Sequence, residues 1–141
     1  MADEVKRTIL ITGGSRGIGR GICLAFARAG CRIFFNYSSA TAAAAETEKL
    51  VAEAGGSATG IQVDVASPKE VAEFVGRALS DTGRIDVLVN NAGIGESGPI
   101  AEIPMELVRA NFETNVFGAL ELTQGVLKGM LKKGGGKIVN L

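Results

Sequence analysis

The chain has 141 residues, 46% of them hydrophobic, enough for a single domain with its own core. Lys+Arg and Asp+Glu balance at 15 each, with no basic block, which argues against a nucleic-acid partner or an anionic membrane surface. Histidine is absent, which removes a Ser-His-Asp triad, a Cys-His dyad and any histidine-containing metal site, and the carboxylates lack the clustered spacing of an oxygen-ligand metal loop.

The start, "MADEVKRT", is polar and carries both signs of charge, unlike a secretory signal. No run approaches the ~18 apolar residues of a membrane span, so a cytoplasmic protein is the expectation. The first predicted strand is 8–12, "TILIT", and the glycine-rich stretch "TGGSRGIG" follows it directly. A helix is predicted over 17–29, with Ile18, Ile22, Ala25, Phe26 and Ala29 on one face and Gly30 at its end. Cys23 and Cys31 fall either side of that end and read as small buried apolar residues rather than a disulfide or metal pair. Then come a strand at 32–37, "RIFFNY", an alanine-rich helix over 40–54 closed by Gly55 and Gly56, and a strand at 59–65.

Ser67, Pro68 and Glu70 form a helix start with Ser as N-cap, Pro at the first position and Glu at the third; that helix runs to about Asp81 and ends near Gly83. After a strand at 86–90, "DVLVN", a long helix is predicted from about Met105 to Lys132. Lys132 and Lys133 suit the negative end of its dipole, and three glycines follow. A last strand, 137–141 "KIVNL", completes a β-α alternation. Near-continuous apolar strands joined by helices predict an α/β fold of Rossmann type, a doubly wound parallel sheet with right-handed crossovers. No linker or repeat divides the chain, so residues 1–141 read as one domain.

The glycines are spaced Gly13-x-x-x-Gly17-x-Gly19 at a strand-to-helix turn. There the first permits a tight turn, the second close approach of a ligand to backbone, and the third close helix–strand packing. The free N–H groups and the positive dipole end of the helix favour an anion such as a pyrophosphate. No G-x-x-x-x-G-K-[ST] occurs, which excludes an ATP-type P-loop. Asn36-Tyr37-Ser38-Ser39, Asp64-Val65 and Asn90-Asn91-Ala92-Gly93 fall at the C-terminal ends of three other strands, the rim where doubly wound sheets bind ligands. Asp64 alone reads as a turn or cap carboxylate and Asn91 alone as a turn residue; their joint placement on one rim points to a ligand.

"TGGSRGIG", "VDV", "NNAG" and "ANFETNVFGALELTQ" together resemble the short-chain dehydrogenase/reductase family, nearest to its 3-oxoacyl-[acyl-carrier-protein] reductase-like members. The resemblance covers essentially the whole chain. It implies strand order 3-2-1-4-5, with a sixth strand missing. It also implies that Gly13, Ser15, Arg16, Gly17, Ile18 and Gly19 hold the pyrophosphate and adenosine ribose of a nicotinamide dinucleotide, with Ser38 beside them. Asp64 would accept from the adenine amino group, Val65 would pack there, and Asn91, Ala92 and Gly93 would line the middle of the cofactor. Asn90 would brace the sheet. Asn115 matches the helix asparagine that holds a water in the family's proton relay, the one catalytic residue assigned.

An NAD enzyme places an acid about 20 residues beyond the turn for the ribose 2′-OH. Here "NYSSATAAAA" carries none before Glu46, while Arg16 stands ready for a 2′-phosphate, so NADP(H) is expected over NAD(H). The helix over 105–132 is apolar nearly all round, which fits either deep burial or, as the resemblance implies, a homo-oligomer interface. The family's chemistry also needs a serine, and a tyrosine followed four residues on by lysine. The only tyrosine is Tyr37, followed four residues on by Thr41, and the serine's place lies just past "KIVNL". The expectation is the N-terminal part of a longer reductase acting on a small carbonyl or alcohol, inactive as it stands. The alternative is a non-catalytic nucleotide-binding or interaction module.

Overall fold

The computed structural model describes residues 4–141. Five strands, β1 (Arg7–Ile11), β2 (Cys31–Tyr37), β3 (Ser57–Gln62), β4 (Val87–Asn90) and β5 (Lys137–Asn140), form one sheet in the order β3-β2-β1-β4-β5. Every pairing is parallel, with Ile9 opposite both Ile33 of β2 and Val87 of β4. This is the Rossmann-type arrangement the alternation predicts. The strand order reverses between β1 and β4, where a crevice opens at the C-terminal ends.

Side chains of β1 alternate between two apolar layers, which is why the strand reads as one continuous hydrophobic run. Leu10, with Phe34 and Leu88, packs under α3 (Pro68–Thr82) and α5 (Ala119–Lys133) through Phe74, Leu122 and Val126. Ile9 and Ile11, with Ile33 and Phe35, pack on the other face against α1 (Gly17–Ala25) and α2 (Thr41–Glu53) through Cys23, Ala44 and Val51. Each such buried Leu, Ile or Phe contributes roughly 1.5–3 kcal/mol. Both cysteines are buried and unpaired, as expected for small core residues, and burial pushes the Cys23 thiol up to about 12.

Several boundaries differ from the sequence expectations. Helix α1 stops at Ala25 rather than Ala29, because the N–H groups of Phe26 and Ala27 turn to the carbonyls of Cys23 and Leu24 and tighten the last turn. Strand β3 begins two residues early, at Ser57 opposite Arg32, and ends at Gln62. One further bond, Val63 N–H to the Tyr37 carbonyl, carries the ladder past it. The long helix is three pieces: α4 (Met105–Phe112), a π-helical segment at Glu113–Gly118, and α5. The α3 start is as predicted, with the Ser67 hydroxyl accepting from the Glu70 N–H at 3.3 Å.

Asp86 ties the sheet together at the rim opposite the crevice. It accepts from the Thr8 N–H at 2.8 Å, from Lys133 Nζ at 2.8 Å and from both Nε and Nη2 of Arg84. Burial works against its ionisation, but these donors outweigh it and hold the carboxyl well below the usual carboxylate range. No helix among the described residues is long and apolar enough to cross a membrane.

Candidate functional site

The site begins with Thr12 and Gly13, which leave β1 at the point where the strand order reverses. Gly13 turns the chain at φ +69 and Gly17 at φ +58, conformations that disfavour any residue with a Cβ. A Cβ at Gly17 would meet nothing in the chain, so its outer side is free for a ligand. A Cβ at Gly19 would overlap the Gly13 carbonyl and stand 2.8 Å from the Asn91 amide. Gly13 thus makes the tight turn and Gly19 the close packing that their spacing predicts, while Gly17 leaves the backbone open on its outer side. A fourth requirement was not legible: a Cβ at Gly14 would stand 2.5 Å from that of Phe35.

The turn is held from three sides. Asn36, on β2 and buried, accepts the Gly13 N–H on Oδ1 at 2.9 Å and the Gly14 N–H on its own carbonyl at 3.1 Å; its Nδ2 donates to the Val63 carbonyl. Asn91, just past β4, donates from Nδ2 to the carbonyls of Thr12 and Gly13 at 2.9 and 3.3 Å. The Thr12 hydroxyl accepts the N–H groups of Asn91 and Ala92 at 2.9 and 2.7 Å. From below, the Thr47 hydroxyl of α2 lies 3.0 Å from the carbonyls of both Gly14 and Ser15.

One set of backbone donors in the turn remains free. Among the described residues, nothing accepts from the N–H groups of Ser15, Arg16, Gly17, Ile18 and Gly19. Four of these are the donors that any helix start leaves free, and Ser15 adds a fifth. Five consecutive donors at the positive end of a helix are an arrangement that favours an anion.

The crevice beside this turn has a volume of about 680 Å³. It is lined by Gly13, Ser15, Arg16, Ser38, Asp64, Val65, Asn91, Ala92 and Gly93, nine of the residues expected to bind a cofactor. Gly17, Ile18 and Gly19 lie next to it in the first turn of α1, where Ile18 is 72% exposed. Asp64 is the one carboxylate in the lining. Its Oδ1 accepts the Ala66 N–H at 2.9 Å, so it is a turn carboxylate as well as a wall of the crevice, with Oδ2 unengaged.

A second crevice, of about 520 Å³, shares Asn91, Ala92 and Gly93 with the first and runs between the ends of β4 and β5 and the π segment. Asn115 lies here. Its Oδ1 accepts the Ile94 N–H at 2.8 Å and its Nδ2 donates to the Ile94 carbonyl at 2.7 Å, leaving each end one further hydrogen-bonding position. The π turn that carries Asn115 also brings Gly118 against the loop after β3, where a Cβ would stand 2.6 Å from the Val65 carbonyl. Asn90 braces the sheet, donating to Asn140 Oδ1 at 2.9 Å and to the Thr123 hydroxyl at 3.3 Å. Among the described residues no group of three or more His, Cys, Asp or Glu side chains is placed to hold a metal.

The sequence places Asn36 on the rim but does not show that it holds the turn, and it assigns no role to Thr12 or Thr47. For Thr12 and Asn36 a signal existed: each is a buried polar residue at the C-terminal end of an apolar strand, where a side chain without a partner is costly.

A short chain dehydrogenase family profile matches residues 7–141. The 3-oxoacyl-[acyl-carrier-protein] reductase of Synechocystis sp. is 40% identical across 100% of this chain, which covers 57% of that protein. The crystal structure of a metagenomic short-chain oxidoreductase in complex with NADP superposes at TM-score 0.91 with 28% identity, over 99% of this chain and 63% of that one. A 7α-hydroxysteroid dehydrogenase complexed with NADH and a 7-oxo bile acid gives TM-score 0.89 at 34% identity, over 98% and 54%. The chain therefore spans little more than half the length of the proteins it matches. With a fold, a glycine turn and a profile match that agree over nearly its full length, the chain belongs to the short-chain dehydrogenase family.

Proposed function

We propose that the chain is the dinucleotide-binding part of an NADP(H)-dependent oxidoreductase, acting between a carbonyl and an alcohol on substrates of the 3-oxoacyl type. The observation that carries this reading is the run of five unpartnered N–H groups, Ser15 to Gly19, opening onto the crevice at the sheet's switch point. That donor set suits a pyrophosphate, and the open space at Gly17 lets it approach the backbone. Asp64 Oδ2 is the acceptor for the adenine amino group, with Val65 packing alongside. Asn91, Ala92 and Gly93 line both crevices and so carry the dinucleotide from one to the other. When bound, the nicotinamide supplies the hydride chemistry; the chain's own residues position it and close one wall against water.

The phosphorylated cofactor is favoured by the adenosine end of the crevice. At the end of β2 it is lined by Tyr37 and Ser38 rather than by a carboxylate that could take a ribose 2′-OH, and Arg16 stands exposed beside them. Similar structures hold NADP in one case and NADH in another, so the preference rests on these residues. Asn115 is the residue proposed to hold a water for proton relay, through the positions its pairing with Ile94 leaves open. Phe112, Val116, Phe117 and Leu120 are about half exposed, an apolar face suited to a second subunit in a homo-oligomer.

Tyr37 ends β2 at the adenosine end of the first crevice, and no Tyr-x-x-x-Lys occurs in these 141 residues. That favours, for the chain by itself, a second reading as a nucleotide-binding module without turnover. Titration with NADPH, followed by fluorescence and by amide chemical shifts, tests the shared premise. Saturable binding that perturbs residues 13–19, 64 and 91–93, and that Gly19→Ala abolishes, is expected. Absence of binding, or perturbation confined to the opposite rim, would remove it.

A further inference from the structure

Arg20 stands in α1 one turn past Arg16, and its guanidinium folds back beneath the glycine turn. Its Nη2 donates to the carbonyls of Ser15 at 2.7 Å and Ala43 at 3.0 Å, and its Nε to the Thr47 hydroxyl at 3.0 Å. All three acceptors are neutral. Among the described residues, no carboxylate pairs with this guanidinium. A cation partly withdrawn from water normally takes a carboxylate partner. Here the charge is left uncompensated.

A trans peptide unit points its C=O and N–H in opposite directions. Because the Gly14 and Ser15 carbonyls are drawn toward Thr47 and Arg20, the N–H groups of Ser15 and Arg16 face the other way. These two residues line the crevice, and their N–H groups are among the unpartnered donors. A guanidinium on the Ser15 carbonyl polarises that peptide and strengthens the Arg16 N–H as a donor. Its charge lies one peptide unit behind whatever anion the donors hold.

We propose that Arg20 is the electrostatic support of the anion cradle: an unneutralised cation behind the turn that draws a pyrophosphate onto the Ser15 and Arg16 amides. This rests on the nucleotide reading above and goes beyond it by naming the charge that the glycine motif lacks. Arg16 serves a different group, the 2′-phosphate, so a ligand without that phosphate separates the two. Across a separation of one peptide unit and one hydrogen bond, a unit charge at the protein surface changes anion affinity by about tenfold.

The test compares wild type, Arg20→Gln and Arg20→Lys by calorimetric titration with ADP and with adenosine. Exchange of the Ser15 and Arg16 amides is followed by NMR at neutral pH. Arg20→Gln is expected to weaken ADP about tenfold and leave adenosine unchanged, while Arg20→Lys recovers most of the loss. Amide exchange at neutral pH is catalysed by hydroxide, which a positive potential concentrates. The two unpartnered amides should therefore exchange several-fold more slowly in Arg20→Gln. Equal losses for ADP and adenosine, or exchange that is unchanged or faster, would show that Arg20 only holds the scaffold and would overturn the proposal. Wild type binding neither ADP nor NADPH would overturn the nucleotide reading instead, and the exchange rates would still decide whether Arg20 charges the turn.

Discussion

The carboxamide of Asn115 closes on the backbone of Ile94 at both ends, accepting its N–H at 2.8 Å and donating to its carbonyl at 2.7 Å. One helical turn earlier, Asn111 meets Glu96 in the same way, donating to its carbonyl at 2.8 Å and accepting its N–H at 3.4 Å. Asparagines four apart, across the junction of α4 with the π segment, thus meet backbone sites two apart in the loop. The two side chains act as rungs that hold the loop after β4 to the helix.

Asn115→Ala is expected to cost about 1–2 kcal/mol in urea unfolding, the sum of two partly exposed hydrogen bonds. Hydrogen exchange should rise across residues 93–96. Asn111→Ala should cost less, since one of its two bonds is long. Unchanged protection of that loop in Asn115→Ala would show that other contacts hold it.

Asp86 sets an acid limit on stability. Its folded-state pKa lies below the ordinary value of about 3.9, so the unfolded chain binds the proton more readily. Its contribution is complete above about pH 5 and is lost as the pH falls through the unfolded value toward the folded one. Asp86→Asn should destabilise the protein by about 2 kcal/mol at pH 7 and flatten the decline of stability between about pH 5 and pH 2. Urea titrations across that range check both, and an unchanged slope would mean another carboxylate controls it.

Arg16 should decide between the two nicotinamide dinucleotides. Wild type is expected to bind NADPH more tightly than NADH, and Arg16→Ala to lose about tenfold for NADPH with little change for NADH. Part of the gain is lost to solvent, because the adenosine end of the crevice is open. Equal affinities in wild type, unaffected by the substitution, would exclude the assignment.

Catalysis by the 141-residue chain should be undetectable. A positioned proton donor is typically worth about 10²–10⁴-fold, and Asn115 can orient a water but cannot itself donate a proton at neutral pH. Carbonyl-dependent NADPH oxidation should stay at background, and appear once a sequence bearing the family's serine and Tyr-x-x-x-Lys follows β5. Turnover by the isolated chain, with host reductases excluded, would place the active site elsewhere.

Patterned apolar runs made the five strands and the two-layer core legible, because a sheet covered on both faces leaves little choice of residue. The glycine spacing and the polar residues at strand ends located the crevice for the same reason: each answers a backbone constraint. What stayed hidden depends on partners distant in sequence. Thr47 reads as an ordinary helix position until the turn 32 residues earlier is placed on it. The π turn at Glu113–Gly118 was invisible to a 3.6-residue period, since it arises where Gly118 meets Val65 and Asn115 meets Ile94. The start of strand β3 leaves no signal because the strand lies at the sheet edge and opens on Ser57, Ala58 and Thr59 rather than on an apolar run.

Strand β1 sits in the middle of the sheet although it is made first. One neighbour, β2, follows within about two dozen residues, but the other pairs Ile9 with Val87, near the far end of the crossover through α2, β3 and α3. At synthesis rates of about 5–20 residues per second, β4 reaches β1 roughly 4–16 s after β1 is made. During that interval the edge of β1 that will receive β4 is unpaired, and Ile9 and Ile11 lack Val87 and Val89 beside them. The glycine turn exists by then, but the Asn91 carboxamide that pins it does not. A growing chain on the ribosome therefore passes through a stage in which the anion cradle has been built and has not yet been locked.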